Sequence, residues 1–267
     1  MKKSMVVLCA VLLVFGVVGV ANATLVGYWN FDEGSGTMAA DSSGNSKTGT
    51  LLAAPGGALP TWIGDGVSGG ALHFGGTGYV EMADTASAYD FGAGGFSVSA
   101  WVRYGTQGPS DHAIAAKHSG GFTNGYFLSD TNSKLDFYFN QDASRVLTPS
   151  TYDDNQWHFV VGINDGTNGS LYVDGQFIGS NAGTPSTNSV NFLVGGVFMG
   201  PGAFAGGFVG GFSGDIDDVA VWNDALTPTQ VTQLYQDQTP VPEPATMLLL
   251  ASGLAGLVGF RKKFRKR

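Results

Sequence analysis

Short runs of alternating apolar and polar residues recur between Leu25 and Trp222, and clusters of glycine, asparagine and aspartate separate them. Such alternation, at a spacing of roughly 8–12 residues, is typical of the strands of a β-sandwich. Glycine supplies 42 of the 267 residues, more than twice its usual share of about 7%, which fits a chain with many turns. We therefore predict an all-β domain with strands at Leu25–Phe31, Ala71–Phe74, Tyr79–Met82, Phe96–Tyr104, Ala113–Lys117, Tyr126–Ser129, Lys134–Asn140, Arg145–Pro149, Trp157–Asn164, Ser170–Val173, Gln176–Ser180, Phe192–Gly195 and Gly214–Trp222.

Two local patterns add detail to this prediction. The dipeptide Asp174-Gly175 separates two of the strands and indicates a two-residue hairpin. Thr227-Pro228-Thr229-Gln230 places threonine at a helix N-cap and glutamine three residues later, which is a capping box. Apolar residues at helical spacing follow it, so we expect one short C-terminal helix through about Asp237.

The N-terminal segment has the pattern of an export signal. Lys2 and Lys3 precede an apolar run that ends at Val20, and Ala21-Asn22-Ala23 follows it. Small residues at Ala21 and Ala23 are typical of a signal cleavage site. We predict that residues 1–23 are a Sec signal peptide that is cut after Ala23.

The C-terminal segment, residues 239–267, combines a linker, Pro242-Glu243-Pro244, an apolar run from Ala245 to Phe260, and six Lys or Arg among the last seven residues. As a helix, the 16-residue apolar run would be about 24 Å long, barely enough to cross a hydrocarbon core of about 30 Å. The basic end favours the cytoplasmic side. An ordinary tail anchor is one interpretation.

The order of these three parts resembles the PEP-CTERM sorting signal of Gram-negative bacteria. The resemblance implies a short transmembrane sorting helix that anchors the protein transiently in the inner membrane. It also implies an exosortase-type sorting enzyme that cuts near Pro242, Glu243 and Pro244. The mature protein is then expected in the cell envelope or outside the cell.

Charge excludes one class of partner. Two of the 13 Lys and Arg residues lie in the N-terminal segment and six in the C-terminal one, so five basic residues remain against 20 of the 21 acidic residues. The part between the two segments therefore has a net charge of −15. Such a surface repels a phosphate backbone, so nucleic-acid binding is not expected.

A series of short motifs follows in order between the two segments: Trp29-Asn30-Phe31-Asp32-Glu33-Gly34-Ser35-Gly36, Asp41-Ser42-Ser43-Gly44-Asn45, Gly69-Gly70-Ala71-Leu72-His73-Phe74, Phe96-Ser97-Val98-Ser99-Ala100-Trp101-Val102, Gln156-Trp157-His158, Leu171-Tyr172-Val173-Asp174-Gly175 and Gly214-Asp215-Ile216-Asp217-Asp218-Val219. The ordered set resembles the laminin-G-like branch of the concanavalin A-like lectin/glucanase superfamily. The resemblance implies that residues 24–238 form one two-sheet antiparallel jelly-roll sandwich. This fold carries lectins, adhesins, glycosidases and spacers, so it leaves the function open.

The aspartates near the end of the domain are candidates for binding a cation. Along a regular strand, alternate side chains share a face, so we expect Asp215 and Asp217 on one face and Asp218 on the other, with Ile216. A carboxylate that points inward is costly unless it is protonated or paired with a cation.

Similar domains hold a structural calcium ion between the Asp41–Asn45 loop and this late strand. The resemblance therefore implies calcium as a cofactor, with Asp41, Asn45, Asp217 and Asp218 as ligands. In the alternative interpretation, Asp41 and Asn45 only make Asx-type turns and the late aspartates are solvated.

The same strand argues against catalysis. Glycosidases of this fold carry two carboxylates in a Glu-x-Asp-x-x-Glu pattern, as nucleophile and acid/base. The nearest string here is Asp215-Ile216-Asp217-Asp218-Val219-Ala220, with alanine in place of the proton donor. We therefore predict no enzymatic activity and no catalytic residues.

These observations together predict an exported, non-catalytic surface or extracellular-matrix protein. It would bind carbohydrate, such as an exopolysaccharide, through a calcium-supported lectin-like domain. The alternatives are a structural or adhesion matrix protein with protein partners and, more remotely, a glycoside hydrolase. Trp62, Tyr104 and Tyr152 have the chemistry of sugar platforms, whereas tryptophans in predicted strands are expected in the core, namely Trp29, Trp101, Trp157 and Trp222.

The two processing sites are directly measurable. Mass spectrometry of the protein released from its native host is expected to give a first residue at Thr24 and a last residue close to Glu243. A mature chain that keeps its basic C-terminal residues would contradict cleavage at the Pro242–Pro244 motif.

Overall fold

Two antiparallel sheets lie face to face in the computed structural model, which describes residues 23–118, 125–140, 144–198 and 208–237. The predicted signal peptide, apart from Ala23, and the predicted sorting segment, residues 239–267, with the transmembrane helix expected there, lie outside these residues. Among the residues described, no helix is long and apolar enough to cross a membrane.

The first sheet has eight strands in the order β14-β13-β12-β7-β18-β5-β4, with β1 paired to β18. Its strands are β1 (Leu25–Trp29), β4 (Thr61–Ile63), β5 (Ala71–Gly75), β7 (Phe96–Arg103), β12 (His158–Asn164), β13 (Asn168–Val173), β14 (Gln176–Ala182) and β18 (Ser213–Trp222).

The second sheet also has eight strands, in the order β11-β10-β9-β8-β15-β6-β3-β2. Its strands are β2 (Met38–Ala39), β3 (Gly49–Ala53), β6 (Gly78–Met82), β8 (Asp111–His118), β9 (Gly125–Thr131), β10 (Lys134–Phe139), β11 (Val146–Leu147) and β15 (Phe192–Val194). A separate ladder pairs β16 (Val197–Phe198) with β17 (Phe208–Val209).

The all-β sandwich predicted from the alternation is confirmed, and each predicted strand has a counterpart. The pattern did not predict β2, β3, β4, β16 and β17, which are two to five residues long. Strands this short show too few alternations to stand out from loop sequence. The hairpin is also confirmed, because Asp174 and Gly175 have φ angles of 51° and 75°, as a primed two-residue turn requires.

The single described α-helix, α1 (Pro228–Asp237), begins where the capping box predicts. The backbone N–H of Gln230 donates to Thr227 Oγ1 over 3.3 Å, and the backbone N–H of Thr227 donates to Gln230 Oε1 over 2.8 Å. These reciprocal bonds satisfy two backbone donors at the start of the helix.

The main core lies between the sheets, and a second apolar cluster lies on the outer face of the first sheet. Strand β7 shows the division: Val98, Ala100 and Val102 belong to the main core, and Trp101 belongs to the outer cluster. Helix α1 contributes to the outer cluster through its apolar side, and Tyr235 stacks on Trp101 with ring centroids 5.7 Å apart. The helix therefore covers part of this outer face.

Candidate functional site

The loop that was predicted to supply calcium ligands is held by hydrogen bonds of its own. The carboxylate of Asp41 accepts backbone N–H bonds from Tyr28 at 3.1 Å, Ser43 at 2.9 Å and Lys47 at 2.8 Å. Burial raises the pKa of Asp41, but these bonds and the Ser43 hydroxyl outweigh it and lower the pKa overall. The carboxylate of Asp41 therefore closes the loop, as in the Asx-turn interpretation.

Asn45 also stabilises this loop. Its side-chain amide donates to the backbone carbonyl of Leu25 over 2.8 Å, which ties the loop to β1. In the described part of the chain, no three His, Cys, Asp or Glu side chains form a group that could hold one metal ion. Asp41 is therefore not grouped with Asp217 and Asp218.

A β-bulge in β18 determines where the two late aspartates point. The register between β18 and β7 shifts between Asp217 and Ala220, and Asp218 has a φ of 49°. The bulge adds one residue, so Ile216 and Val219 both face the main core. The prediction that Asp218 faces inward with Ile216 is wrong, because it assumed strict alternation across a strand that contains a bulge.

Asp218 instead meets Tyr28, whose ring packs against the outer cluster. The Tyr28 hydroxyl donates to Asp218 Oδ1 over 2.5 Å. Asp218 is only 2% exposed, and its other carboxyl oxygen, Oδ2, has no hydrogen-bond partner among the described residues. A buried, unpartnered oxygen of this kind is a place where a proton or a cation lowers the free energy.

Asp217 is fully buried and holds the loop between β4 and β5. Its Oδ1 accepts the backbone N–H of Asp218, and its Oδ2 accepts that of Val67, each over 2.8 Å. The carboxylate of Asp32 accepts the backbone N–H of Gly70 over 2.7 Å and so holds the other end of the same loop. The predicted ligand set did not include Asp32, although it lies in one of the motifs that carry the resemblance.

The two late aspartates favour their protonated forms. Burial, followed by the charge of Asp218, raises the pKa of Asp217 to about 8. Burial and the charge of Asp32 raise the pKa of Asp218 to about 7, although the Tyr28 hydroxyl bond acts in the opposite direction. Near neutral pH the pair is therefore poised to lose protons to a cation or to a rise in pH.

Next to this pair, a polar row crosses the outer face of the first sheet. Asp215 is paired with His73 on β5 and with Arg103 on β7, and His73 is paired with Thr61 on β4. His73 Nδ1 lies 2.7 Å from Asp215 Oδ1, and Arg103 Nε donates to Asp215 Oδ2 over 2.9 Å. The row thus forms one hydrogen-bonded array across neighbouring strands.

Arg103 extends this array to the loop and to an aromatic ring. Its Nη1 donates to Asp65 Oδ2 over 2.8 Å, and its Nη2 donates to the Asp65 backbone carbonyl over 3.2 Å. The guanidinium carbon lies 4.7 Å from the ring centroid of Trp157, within cation–π range. Trp157 precedes β12 and is partly buried, so the expectation that it lies in a strand within the core is wrong.

Arg103 lies in the walls of two open cavities. The larger, of about 550 Å³, is lined by Asp65, Gly66, Val67, Trp101, Arg103, Gln156, Trp157, Tyr235 and Gln236. The smaller, of about 410 Å³, is lined by His73, Arg103, Tyr104, Gly105, Asn155, Ser213, Gly214 and Asp215. Aromatic rings with a few convergent polar groups are typical of small-molecule sites.

The aspartate pair and the larger cavity are directly connected. Asp217 accepts the backbone N–H of Val67, and Val67 and Asp65 both line that cavity. The protonation or cation binding of the pair therefore affects the loop that forms one wall of the cavity. The sequence pattern did not predict the larger cavity, because its lining comes from four separate segments of the chain, represented by Val67, Arg103, Trp157 and Tyr235.

Two parts of the chain match known families. Residues 74–232 match the concanavalin A-like lectin/glucanases superfamily. Residues 240–266 match the PEP-CTERM protein-sorting motif. No curated protein matches the chain.

Several solved structures are similar in fold. Domain 4 of AbnA, a GH43 extracellular arabinanase from Geobacillus stearothermophilus in complex with arabinotriose, has a TM-score of 0.58 and 21% identity over 80% of this chain and 98% of that one. The binding domain of Paraclostridial Mosquitocidal Protein 1 has a TM-score of 0.61 and 14% identity, with coverage of 80% and 52%. The binding domain of botulinum neurotoxin DC in complex with SialylT has a TM-score of 0.58 and 15% identity, with coverage of 81% and 52%. This chain thus spans about half the length of the two toxin domains.

The raised pKa values predict how stability depends on pH. Between the unfolded pKa of about 3.9 and the native values, the folded state binds more protons than the unfolded state. Without divalent cations, the free energy of unfolding should therefore fall as the pH rises from about 4 to about 8, by at most about 1.4 kcal/mol per pH unit for each group. Urea titrations at several pH values measure it.

Asp218→Asn keeps an acceptor for Tyr28 but cannot ionise, so its pH profile should be flatter than that of the unmodified protein. Other buried acids, such as Asp136 with its pKa raised by burial to about 6, are present in both proteins and cancel in the comparison. Parallel pH profiles for the two proteins would contradict the assignment.

Proposed function

The chain belongs to the concanavalin A-like lectin/glucanases superfamily, and from that premise we propose that it is an exported protein that binds polysaccharide through the outer face of its first sheet. The supporting observation is the larger cavity, where Trp157 lies beside the hydrogen-bonded array of Arg103, Asp65 and Asp215. Of the proteins similar in fold, the arabinanase domain forms a complex with arabinotriose and the neurotoxin binding domain forms a complex with SialylT.

The chemistry of the cavity suits a sugar. A pyranose or furanose ring presents C–H groups that pack on an aromatic face and hydroxyls that need hydrogen-bond partners. The cavity offers the ring of Trp157, the amides of Gln156 and Gln236, and the carboxylate of Asp65. Arg103 holds the carboxylate of Asp65 in place, so less side-chain freedom is lost when a ligand binds.

Binding without hydrolysis is part of the proposal. Asp215 already accepts a bond from Arg103 and contacts His73, which occupies both carboxylate oxygens. A glycosidase needs a second carboxyl group as proton donor, and the corresponding position in β18 is Ala220, which is buried in the outer cluster.

A calcium ion bound to Asp217 and Asp218 would stabilise the loop that forms one wall of the larger cavity. The unpartnered oxygen of Asp218 and the neighbouring carboxyl of Asp217 fit a hard cation that takes oxygen ligands. The ion would replace the protons of the pair and would keep Asp217 ionised, so that it remains a strong acceptor for the N–H of Val67. Asp41 and Asn45 complete the ligand set only if the loop gives up its present bonds.

Export follows from the C-terminal segment. The match to the PEP-CTERM protein-sorting motif indicates an exported protein with a C-terminal anchor that is processed by an exosortase. We propose that the anchored form is transient, and that the sandwich is then presented in the envelope or the extracellular matrix, where exopolysaccharide is a plausible ligand.

A structural or adhesion role with protein partners is a second candidate, because strand β14 lies at an edge of the first sheet. Strand β14 is a seven-residue edge strand without a charged residue or proline, and Phe177 on it is 57% exposed. Edge strands of this kind pair readily with another chain.

Loss of the aromatic wall tests carbohydrate binding. Trp157→Ala should weaken the affinity for a bound polysaccharide by at least about fivefold, because a ring contact contributes on the order of 1 kcal/mol beyond simple burial. Affinity electrophoresis across a set of plant and bacterial polysaccharides, followed by calorimetry on a binder, measures it. Phe177→Ala removes an exposed ring from the far edge of the same sheet and should leave the affinity unchanged. Equal losses in both variants would contradict the site, and no binding to any polysaccharide would contradict the function.

Calcium should raise the melting temperature at pH 8. The ion neutralises a pair that is otherwise deprotonated at a cost, and binding to the native state alone stabilises it. Differential scanning calorimetry in calcium and in a chelator measures the shift. The Asp218→Asn variant should melt at the same temperature in calcium and in the chelator. The control Asp165→Asn changes an exposed turn residue, and its melting temperature should rise in calcium as that of the unmodified protein does. An unchanged melting temperature in the unmodified protein would rule out the cation.

A further inference from the structure

The charges that line the two cavities are already paired with one another. Arg103 uses Nε for Asp215 and both terminal nitrogens for Asp65, so each of its three nitrogens already donates one bond and three of its five N–H groups are engaged. Recognition of a carboxylate by arginine depends on two parallel N–H bonds from its planar fork. A carboxylate on a ligand would have to displace Asp65 or Asp215 to obtain them.

The groups that remain available to a ligand are mainly acceptors. The side chain of Asp65 is 81% exposed although it is bonded to Arg103. The two carboxylates, of Asp65 and Asp215, outnumber the single arginine at this place. The body of the protein also has a net charge of −15. An acidic ligand meets repulsion at short and at long range, whereas sugar hydroxyls donate to these carboxylates.

The position of Arg103 also limits the shape of the ligand. The two cavities, of about 550 and 410 Å³, have Arg103 in common. Its guanidinium rests on Trp157 on one side and bonds Asp215 on the other. A chain of several sugar units that passes over the guanidinium would place units in both cavities, whereas a single unit would fill one.

We propose, resting on the proposed function, that the site takes a neutral polysaccharide in an extended conformation across Arg103, and that it rejects uronic-acid polymers. Asp65 is the residue that decides this selectivity, because its exposed carboxylate accepts bonds from neutral hydroxyls and repels a ligand carboxylate.

Calorimetry with two ligand series of matched lengths tests the inference, using neutral arabino- and cello-oligosaccharides and acidic oligogalacturonates. At low salt, the affinity for at least one neutral series should exceed the affinity for the acidic series by about tenfold or more. The affinity for the neutral series should rise from disaccharide to tetrasaccharide as the second cavity fills. Higher salt should narrow the difference between the series by screening the acidic ligand.

Asp65→Asn should lower the affinity for the neutral ligand severalfold. It should also reduce the ratio of the affinities for the neutral and the acidic ligand. The control Asp165→Asn removes the same charge from a residue that follows β12, at the end of the strand opposite to Trp157. It should change neither the affinity for the neutral ligand nor the discrimination against the acidic one. Acidic oligomers that bind as tightly as neutral ones would overturn the selectivity while leaving carbohydrate binding intact. A disaccharide that binds as tightly as a tetrasaccharide would overturn the extended mode. Failure of every sugar to bind would instead overturn the proposed function.

Discussion

The β-bulge at Asp217 and Asp218 is the constraint on which the site depends. Strand β18 is central to the first sheet, where it pairs with β1, β5 and β7. One extra residue at this point turns Asp218 to Tyr28 on the outer side and leaves Val219 and Val221 in the main core. Both the hydrophobic pattern and the acidic pair are therefore kept, at the cost of a residue with positive φ.

The acidic pair at the bulge, Asp217 and Asp218, stabilises the loop between β4 and β5. Buried carboxylates are unfavourable unless they are bonded, protonated or neutralised. Here the buried carboxylate of Asp217 accepts the backbone N–H of Val67, so the loop is ordered by one of the groups that are costly to bury. The exposed carboxylate of Asp32 accepts the backbone N–H of Gly70 at the other end of the loop. The loop in turn carries Asp65 to Arg103. Any change in the charge of the pair thus acts on a wall of the larger cavity.

The outer face of the first sheet is divided between stability and binding. Helix α1 packs Val231 and Leu234 into the outer cluster over one part of this face. The rest carries the polar row, which the helix borders through Tyr235 and Gln236 at the larger cavity. A sheet that is buried on one face and only half covered on the other can expose side chains on rigid strands. Such a scaffold holds a ligand-binding row more firmly than a loop would.

The sequence alone was enough to predict the longer strands, the Asp174–Gly175 hairpin and the Thr227–Gln230 capping box, because each depends on residues that are close along the chain. It also determined the superfamily and the sorting motif, since their signals are ordered local patterns. Three features could not be predicted from the chain: Asp218 faces outward, Trp157 lines a cavity, and His73, Arg103 and Asp215 meet across three strands. The physical reason is that a bulge and a cross-strand register are set by packing between strands far apart in sequence, and a one-residue shift changes which face a side chain occupies.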